Sequence, residues 1–207
     1  MVPPGEIRPD PRLLARILEL AGLEMILVGG QALAFWAAYY SVPAPPIAVT
    51  KDLSRVYGNV SPASLAKRAL VAESPAGSFR IMHPLDVLQG RLENLHGLIE
   101  KQDEHGIAQL QLAVAMVREF LQDITSQEAE RRDAGKRPVS LRHLRRIESL
   151  ALSDAGRKVA QRYAVHVADS IDPAPFLHIE SFKAKKLPQL LRLMSDERQA
   201  QLTAATQ

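Results

Sequence analysis

The sequence predicts an α+β protein: a small mixed sheet with helices, followed by an all-α helical region. Three observations predict it. A short apolar run at residues 25–28 is closed by Gly29 and Gly30 and continues into strong helix formers at 31–40, the pattern of buried strand, glycine turn and helix. From Pro84 onward Leu85, Leu88, Leu92, Leu95, Leu98 and Ile99 recur at helical spacing, and residues 107–124 repeat the behaviour, which predicts a helical pair. Past residue 139 every periodic segment reads as helix.

Taken in order, residues 11–23 form the first expected helix, with Leu13, Leu14, Ile17, Leu18 and Leu20 on one face. Asp10 is its N-cap, Pro11 sits in its first turn and Gly22 is its stop. The 25–28 strand, the glycine turn and the 31–40 helix follow. Pro43, Pro45 and Pro46 end that helix, because proline fixes φ and removes amide donors. A second short strand is expected at 47–53, ending in Thr50, Lys51 and Asp52. From 54 to 78 the pattern weakens to a strand or turn at 56–60, a short helix at 61–69 and a loop at 75–77, with a third strand at 79–82. Residues 125–139 read as a charged connector. Helices are then expected at 140–152, 154–168 and near 184–204, with a break at Asp172 to Pro175. The expected divisions are residues 1–82, 83–124 and 125–207.

A chain of 207 residues with 46% hydrophobic and 24% charged residues matches an ordinary folded protein. It holds no cysteine, which excludes disulfides, zinc–thiolate sites and thiol nucleophiles. Residues 1–11 lack the basic start and apolar run of a signal peptide, and no stretch approaches a membrane span of ~18 apolar residues. A soluble, unsecreted, cytoplasmic protein without a membrane partner is expected. The net charge of +3 conceals an asymmetry: residues 1–130 hold 11 basic and 15 acidic side chains, residues 131–207 hold 15 and 8. The two parts should face different partners.

A strand that runs into Gly29-Gly30 and then a helix gathers unpaired backbone amides and a helix dipole at one point, which suits an anion. The bland alternative is a tight turn without a ligand. The combination of Leu27-Val-Gly-Gly-Gln-Ala-Leu33 with Thr50-Lys51-Asp52 resembles the nucleotidyltransferase superfamily with its polymerase-beta type palm. The closest branch is that of the abortive-infection nucleotidyltransferase toxins. In that family the glycine loop holds nucleotide phosphates and an Asp-x-Asp pair on the next strand binds two divalent ions, which stabilise the attacking and leaving oxygens.

The resemblance implies that Gly29 and Gly30 bind nucleotide, that Asp52 is the catalytic carboxylate and a metal ligand, and that Ser54 stands where the second aspartate belongs. A neutral hydroxyl is a weaker ligand for Mg²⁺, the implied cofactor. The helical likeness at His83-Pro-Leu-Asp-Val-Leu-Gln-Gly-Arg91 and from Lys101 to Leu110 implies that Arg91 and Lys101 neutralise nucleotide phosphate. His105, Gly106 and Gln109 occupy places where the family carries charged residues. About thirty residues separate Asp52 from Pro84, so the palm is also shortened; Glu73 is the only acidic residue between. The implied function is transfer of a nucleotidyl group from a nucleoside triphosphate to a hydroxyl of RNA or protein, impaired in this chain. RNA, an antitoxin protein and a second copy of the chain are the implied further partners.

The alternative is a non-catalytic module that binds nucleic acid or protein. Arg131, Arg132, Lys136, Arg137, Arg142, Arg145 and Arg146 could neutralise phosphates, or could simply form a solvated connector and helix face. No aromatic residue lies between Phe120 and Tyr163, so base stacking is not expected there. Phe35, Trp36, Tyr39 and Tyr40 read as packing against the sheet, with base stacking by either tyrosine as the other option. The six histidines show no metal-ligand spacing, and no Gly-x-Ser-x-Gly elbow supports hydrolase chemistry.

Overall fold

A computed structural model of the chain describes residues 26–45, 62–74, 77–130 and 138–205. Within them β1 is Ile26–Leu27, β2 is Leu70–Ser74 and β3 is Gly77–Ile81. The helices are α1 (Gly29–Tyr39), α2 (Pro62–Arg68), α3 (Pro84–Gly97), α4 (Glu104–Glu130), α5 (Ser140–Leu152), α6 (Asp154–Tyr163), α7 (Leu187–Leu191) and α8 (Asp196–Ala205). The α+β class is as expected: a three-stranded mixed sheet precedes a helical region.

The strand order is β1-β3-β2. The short strand β1 lies parallel to β3, pairing Ile26 with Arg80 and Leu27 with Ile81, and the ladder continues where Met82 N donates to Leu27 O at 2.8 Å. β2 is antiparallel to β3, from Leu70 opposite Ile81 to Ser74 opposite Gly77. Sequence reading missed β2. Only Ala72 of its central residues is buried, while Val71 is 59% exposed, so pairing with β3 defines this strand more than its own apolar pattern does.

α1 leaves β1 through Gly29 and ends in a Schellman motif: Val42 N donates to Ala37 O at 2.8 Å and Ser41 N to Ala38 O at 3.1 Å. Ser41 takes the left-handed conformation there, φ 55°. Trp36 is buried, and its Nε1–H donates to Met82 O at 2.8 Å, which fixes the helix to the end of β3. Phe35 meets Phe79 edge-on at 5.3 Å. The aromatic residues therefore pack on the sheet, and Tyr39 is the exposed member.

α3 and α4 form the expected pair. Leu85, Leu88, Leu92 and Leu95 face Leu110, Ala113, Met116, Val117 and Phe120 within one core that also takes in Ile81, Ile147, Val159 and Met194. α4 runs six residues past the expected end at 124, because Thr125 to Glu130 contain no glycine or proline to stop it. The Glu128 carboxylate accepts from Val139 N, from Ser140 N at 3.0 Å and from Ser140 Oγ, tying the end of α4 to the start of α5. The helix expected to reach 168 stops at Tyr163, where Ala164 turns left-handed at φ 54°. The stretch expected as one helix near 184–204 is divided: a π-helical turn (Phe182–Lys186) leads into α7, and α8 begins anew at Asp196.

The strands expected at 47–53 and 56–60 and the helix at 11–23 lie outside the described residues. Among the described residues no helix is long and apolar enough to cross a membrane.

Candidate functional site

Two places in the fold gather groups that could take an anion. The first is the glycine turn. Val28, directly after β1, is extended, φ −129° and ψ 174°, and Gly29 turns to φ 63° as the first residue of α1. A side chain is disfavoured at that φ. No side chain caps α1, so its first-turn amides point out of the turn unclaimed by a cap. Gly30 is buried beneath them. Because β1 runs parallel to β3, the turn lies at the carboxyl end of both strands, the edge at which open α/β sheets hold ligands.

Asp52 and Ser54 lie outside the described residues, so no geometry for a divalent ion follows from them; among the described residues no group of three or more histidine, aspartate or glutamate side chains is placed to hold a metal. Arg91 is 6% exposed, and its Nη1 donates to Gln109 Oε1 at 2.8 Å across the α3–α4 interface. Gln109 Nε2 in turn lies 2.8 Å from His105 Nε2. Gln109 and His105 thus form a brace around the buried Arg91 guanidinium. Lys101 ends the short 3₁₀ turn Ile99–Lys101 before α4.

The second place is a cleft of about 820 Å³ between α2, the start of α3, α4 and α5. Its floor is organised by a carboxylate that sequence reading passed over. Asp86, in the first turn of α3, is 0% exposed. Its Oδ2 accepts from Arg68 Nε at 3.0 Å and its Oδ1 accepts from Arg146 Nη2. Arg146 Nη2 also donates to Gln89 Oε1 at 2.9 Å, and Gln89 Nε2 to Glu93 Oε1 at 2.7 Å. A buried carboxylate is stable only with such partners. Here α2 and α5 each supply one to α3.

Lys67 and Arg142 also line the cleft, and both are exposed. Among the described residues neither side chain has an ion pair or hydrogen bond, unlike those of Arg68 and Arg146. Arg142 and Arg146 lie one helical turn apart on α5 and so share a face. Arg145 does not share it: it borders a smaller hollow with Glu148, Phe182 and Lys186, where Lys186 Nζ donates to Glu148 at 2.9 Å. The described part of the expected basic stretch is therefore divided between two surfaces. Arg131, Arg132, Lys136 and Arg137 lie outside the described residues.

Two imidazoles and an apolar wall complete the cleft. His83 and His143 are each 9% exposed, with ring centroids 5.3 Å apart, and both meet the edge or face of Phe120 at 5.1 and 5.4 Å. His83 Nδ1 accepts from Leu85 N at 3.1 Å, capping α3. Burial, and then the charge interaction with His143, pushes His83 down to about 4; the charges of Arg146 and Arg68 act the same way and Asp86 opposes them. A neutral ring whose Nδ1 accepts must carry its proton on Nε2. His143 is also held below the ordinary histidine value, by burial and then by Arg142 and Arg146. Among the described residues neither of its ring nitrogens has a hydrogen-bond partner. Leu70, Phe120, Ile124 and Val139 form the apolar side.

The sequence signal for this cleft was faint. Asp86 stands beside the apolar stripe of α3, and His83 directly precedes the helix-starting proline; both features mark a first turn before they mark a site. The chain matches no protein-family model, no curated protein and no solved structure.

Proposed function

We propose that the chain is a nucleotidyltransferase-like protein that holds the phosphates of a nucleoside triphosphate on the glycine turn between β1 and α1. The observation that carries this reading is the backbone at Gly29: a left-handed residue at φ 63° between a strand and a helix that has no side-chain cap. That turn supplies helix-dipole potential and backbone donors where a phosphate would lie. The wedge of aromatic residues on α1 supports it from behind, because Trp36 and Phe35 set the helix on the sheet.

On this reading the transfer reaction, from nucleoside triphosphate to a hydroxyl of RNA or protein, is impaired. Asp52 is the remaining carboxylate of the metal pair, and Ser54 offers Mg²⁺ a neutral oxygen in place of the second. Arg91 serves the site by bracing α3 against α4 through Gln109, and Lys101 is the residue proposed for phosphate neutralisation. A second copy of the chain, an antitoxin and RNA are proposed partners of the same reading.

Two measurements test it. Calorimetric titration of the full chain with ATP, with and without Mg²⁺, should show binding that Gly29→Val removes while the circular dichroism spectrum is kept. Transfer from α-labelled nucleoside triphosphates to total RNA or to the protein should be slow and should disappear in Asp52→Ala. Absence of ATP binding by the folded wild-type chain would refute the proposal.

A further inference from the structure

We propose that the cleft between α2, α3, α4 and α5 is a second ligand site, which takes a small phosphate monoester of the nucleoside monophosphate class independently of the glycine turn. Neither Gly29 nor Gly30 lines it. The assignment rests on the side chains left without partners. Arg68 and Arg146 are held by Asp86, but Lys67 and Arg142 carry their charge to the cleft unpaired among the described residues. Among the described residues four cationic groups thus border the cavity against the buried Asp86 carboxylate, and Glu128 is engaged in capping α5. The surplus is positive.

The imidazoles narrow the chemistry. His143 is nine-tenths buried, lines the cleft and has no hydrogen bond from either ring nitrogen among the described residues. Its ring nitrogens are not sealed from solvent, so they remain open to a ligand from the cleft. His83 lines the same cavity and carries its proton on Nε2, since its Nδ1 accepts from Leu85 N. Two imidazoles and two free cations suit the oxygens of a dianionic terminal phosphate.

Shape and wall argue for a small ligand over a nucleic-acid strand. A cleft of about 820 Å³ falls within the roughly 300–1,000 Å³ of small-molecule sites. Leu70, Ile124 and Val139 give it an apolar side against which a compact, uncharged group can rest. A single strand is gripped by exposed aromatic platforms along a groove. Here Phe120 is only 3% exposed, with both imidazoles against its ring, and Arg145 faces another surface.

The test is titration of the full chain at low ionic strength and neutral pH with AMP, adenosine, inorganic phosphate and a short single-stranded RNA, by calorimetry and by NMR of the histidine rings. AMP should bind, should shift the His83 and His143 ring resonances and should raise their apparent pKa values, because a phosphate dianion favours the imidazolium. Adenosine and inorganic phosphate should each bind at least tenfold more weakly. The double variant Lys67→Gln with Arg142→Gln alters exposed side chains without described partners, so it should stay folded and lose at least tenfold in AMP affinity. Unchanged affinity in that variant overturns the proposal. So does AMP binding that moves the Gly29 and Gly30 amides and leaves both imidazoles unmoved, which would place the ligand at the glycine turn. RNA binding that depends on Lys67 and Arg142 without any AMP binding would overturn it in favour of a polyanion face, and inorganic phosphate binding as tightly as AMP would overturn the role of the apolar wall.

Discussion

Replacing Asp86 by alanine removes the one carboxylate on which α2, α3 and α5 converge. Asp86 is 0% exposed and accepts from two arginines. Removing one partner of a buried ion pair costs about 3–5 kcal/mol when the other charge is stranded. Here the stranded groups have an escape: the Arg68 and Arg146 side chains are 39% and 26% exposed, and both guanidinium heads can turn to water. Arg146 also keeps Gln89. The expected loss therefore sits at the lower end, ~3 kcal/mol. For a chain of this size that corresponds to a fall in Tm of ~6–12 °C.

Thermal and urea unfolding followed by circular dichroism at 222 nm measure it. Asp86→Asn separates charge from volume, since it keeps the shape but turns an amide donor toward the guanidinium groups. Loss of the charge is the dominant effect, so the asparagine variant should be nearly as unstable as the alanine one. The triple variant in which Arg68 and Arg146 become methionine and Asp86 becomes leucine should recover much of the loss, because an apolar replacement of a whole buried network avoids the desolvation that the ions incur. A fall of less than ~1 kcal/mol in Asp86→Ala, the value of an exposed pair, would refute the reasoning.

Three further outcomes are expected. His83 has a folded-state pKa of about 4 against an ordinary 6.5, so the unfolded chain binds the proton first; stability is full above pH 6.5 and falls as pH drops toward 4, by ~3 kcal/mol for this group. His143, Asp86, Arg146 and Arg68 are the charged groups acting on it, and His83→Asn, which keeps an N-cap acceptor, should flatten the stability–pH curve in that window; an unaltered slope would assign the effect elsewhere. Trp36→Phe deletes the donor to Met82 O and leaves a buried carbonyl unpaired, for a loss of ~1–3 kcal/mol in urea unfolding. Gly156→Ala should destabilise by a similar ~1–3 kcal/mol, since a Cβ there would stand 2.1 Å from Leu150 O and 2.7 Å from Ala151 O, backbone atoms that cannot give way; a wild-type Tm would mean that the start of α6 is more open than described.

How much of this was legible in the sequence follows from where the determining forces lie. β1, the turn and α1 were readable because Gly29, Gly30 and the flanking apolar run act locally. α5 was placed at residues 140–152, and the α3 stripe was clear, for the same reason: each buries a face set by its own periodicity. β2 was not readable because a ladder to β3 decides it, and Leu70, Val71 and Ala72 alone could continue the preceding helix. The early stop at Ala164 was hidden too, since alanine carries no signal for a left-handed residue. The resemblance implies phosphate neutralisation by Arg91, whereas its burial against Gln109 depends on how α3 meets α4, which no spacing announces.

The cleft was illegible for a deeper reason, and that reason links its stability to its proposed use. Its residues come from four separated segments, around Lys67, around Asp86, around Phe120 and around Arg146, which spacing cannot connect. A buried carboxylate makes the connection. Asp86 is tolerated inside only if Arg68 and Arg146 reach it, and each of those arginines carries a neighbour with it: Lys67 is adjacent to Arg68 on α2, and Arg142 is one turn before Arg146 on α5. Docking the arginines therefore fixes two more cations at the rim of the same cavity. The fold needs the first pair and has no described use for the second. The ion network that holds three helices together thus also prearranges the free charges, which lowers the entropic cost of binding an anion between them. This makes a coupled result the sharpest expectation of all: Asp86→Ala should weaken AMP binding even though Asp86 repels the phosphate, because losing the scaffold outweighs losing one unfavourable charge. Tighter AMP binding by that variant would show that the cations find their places without it.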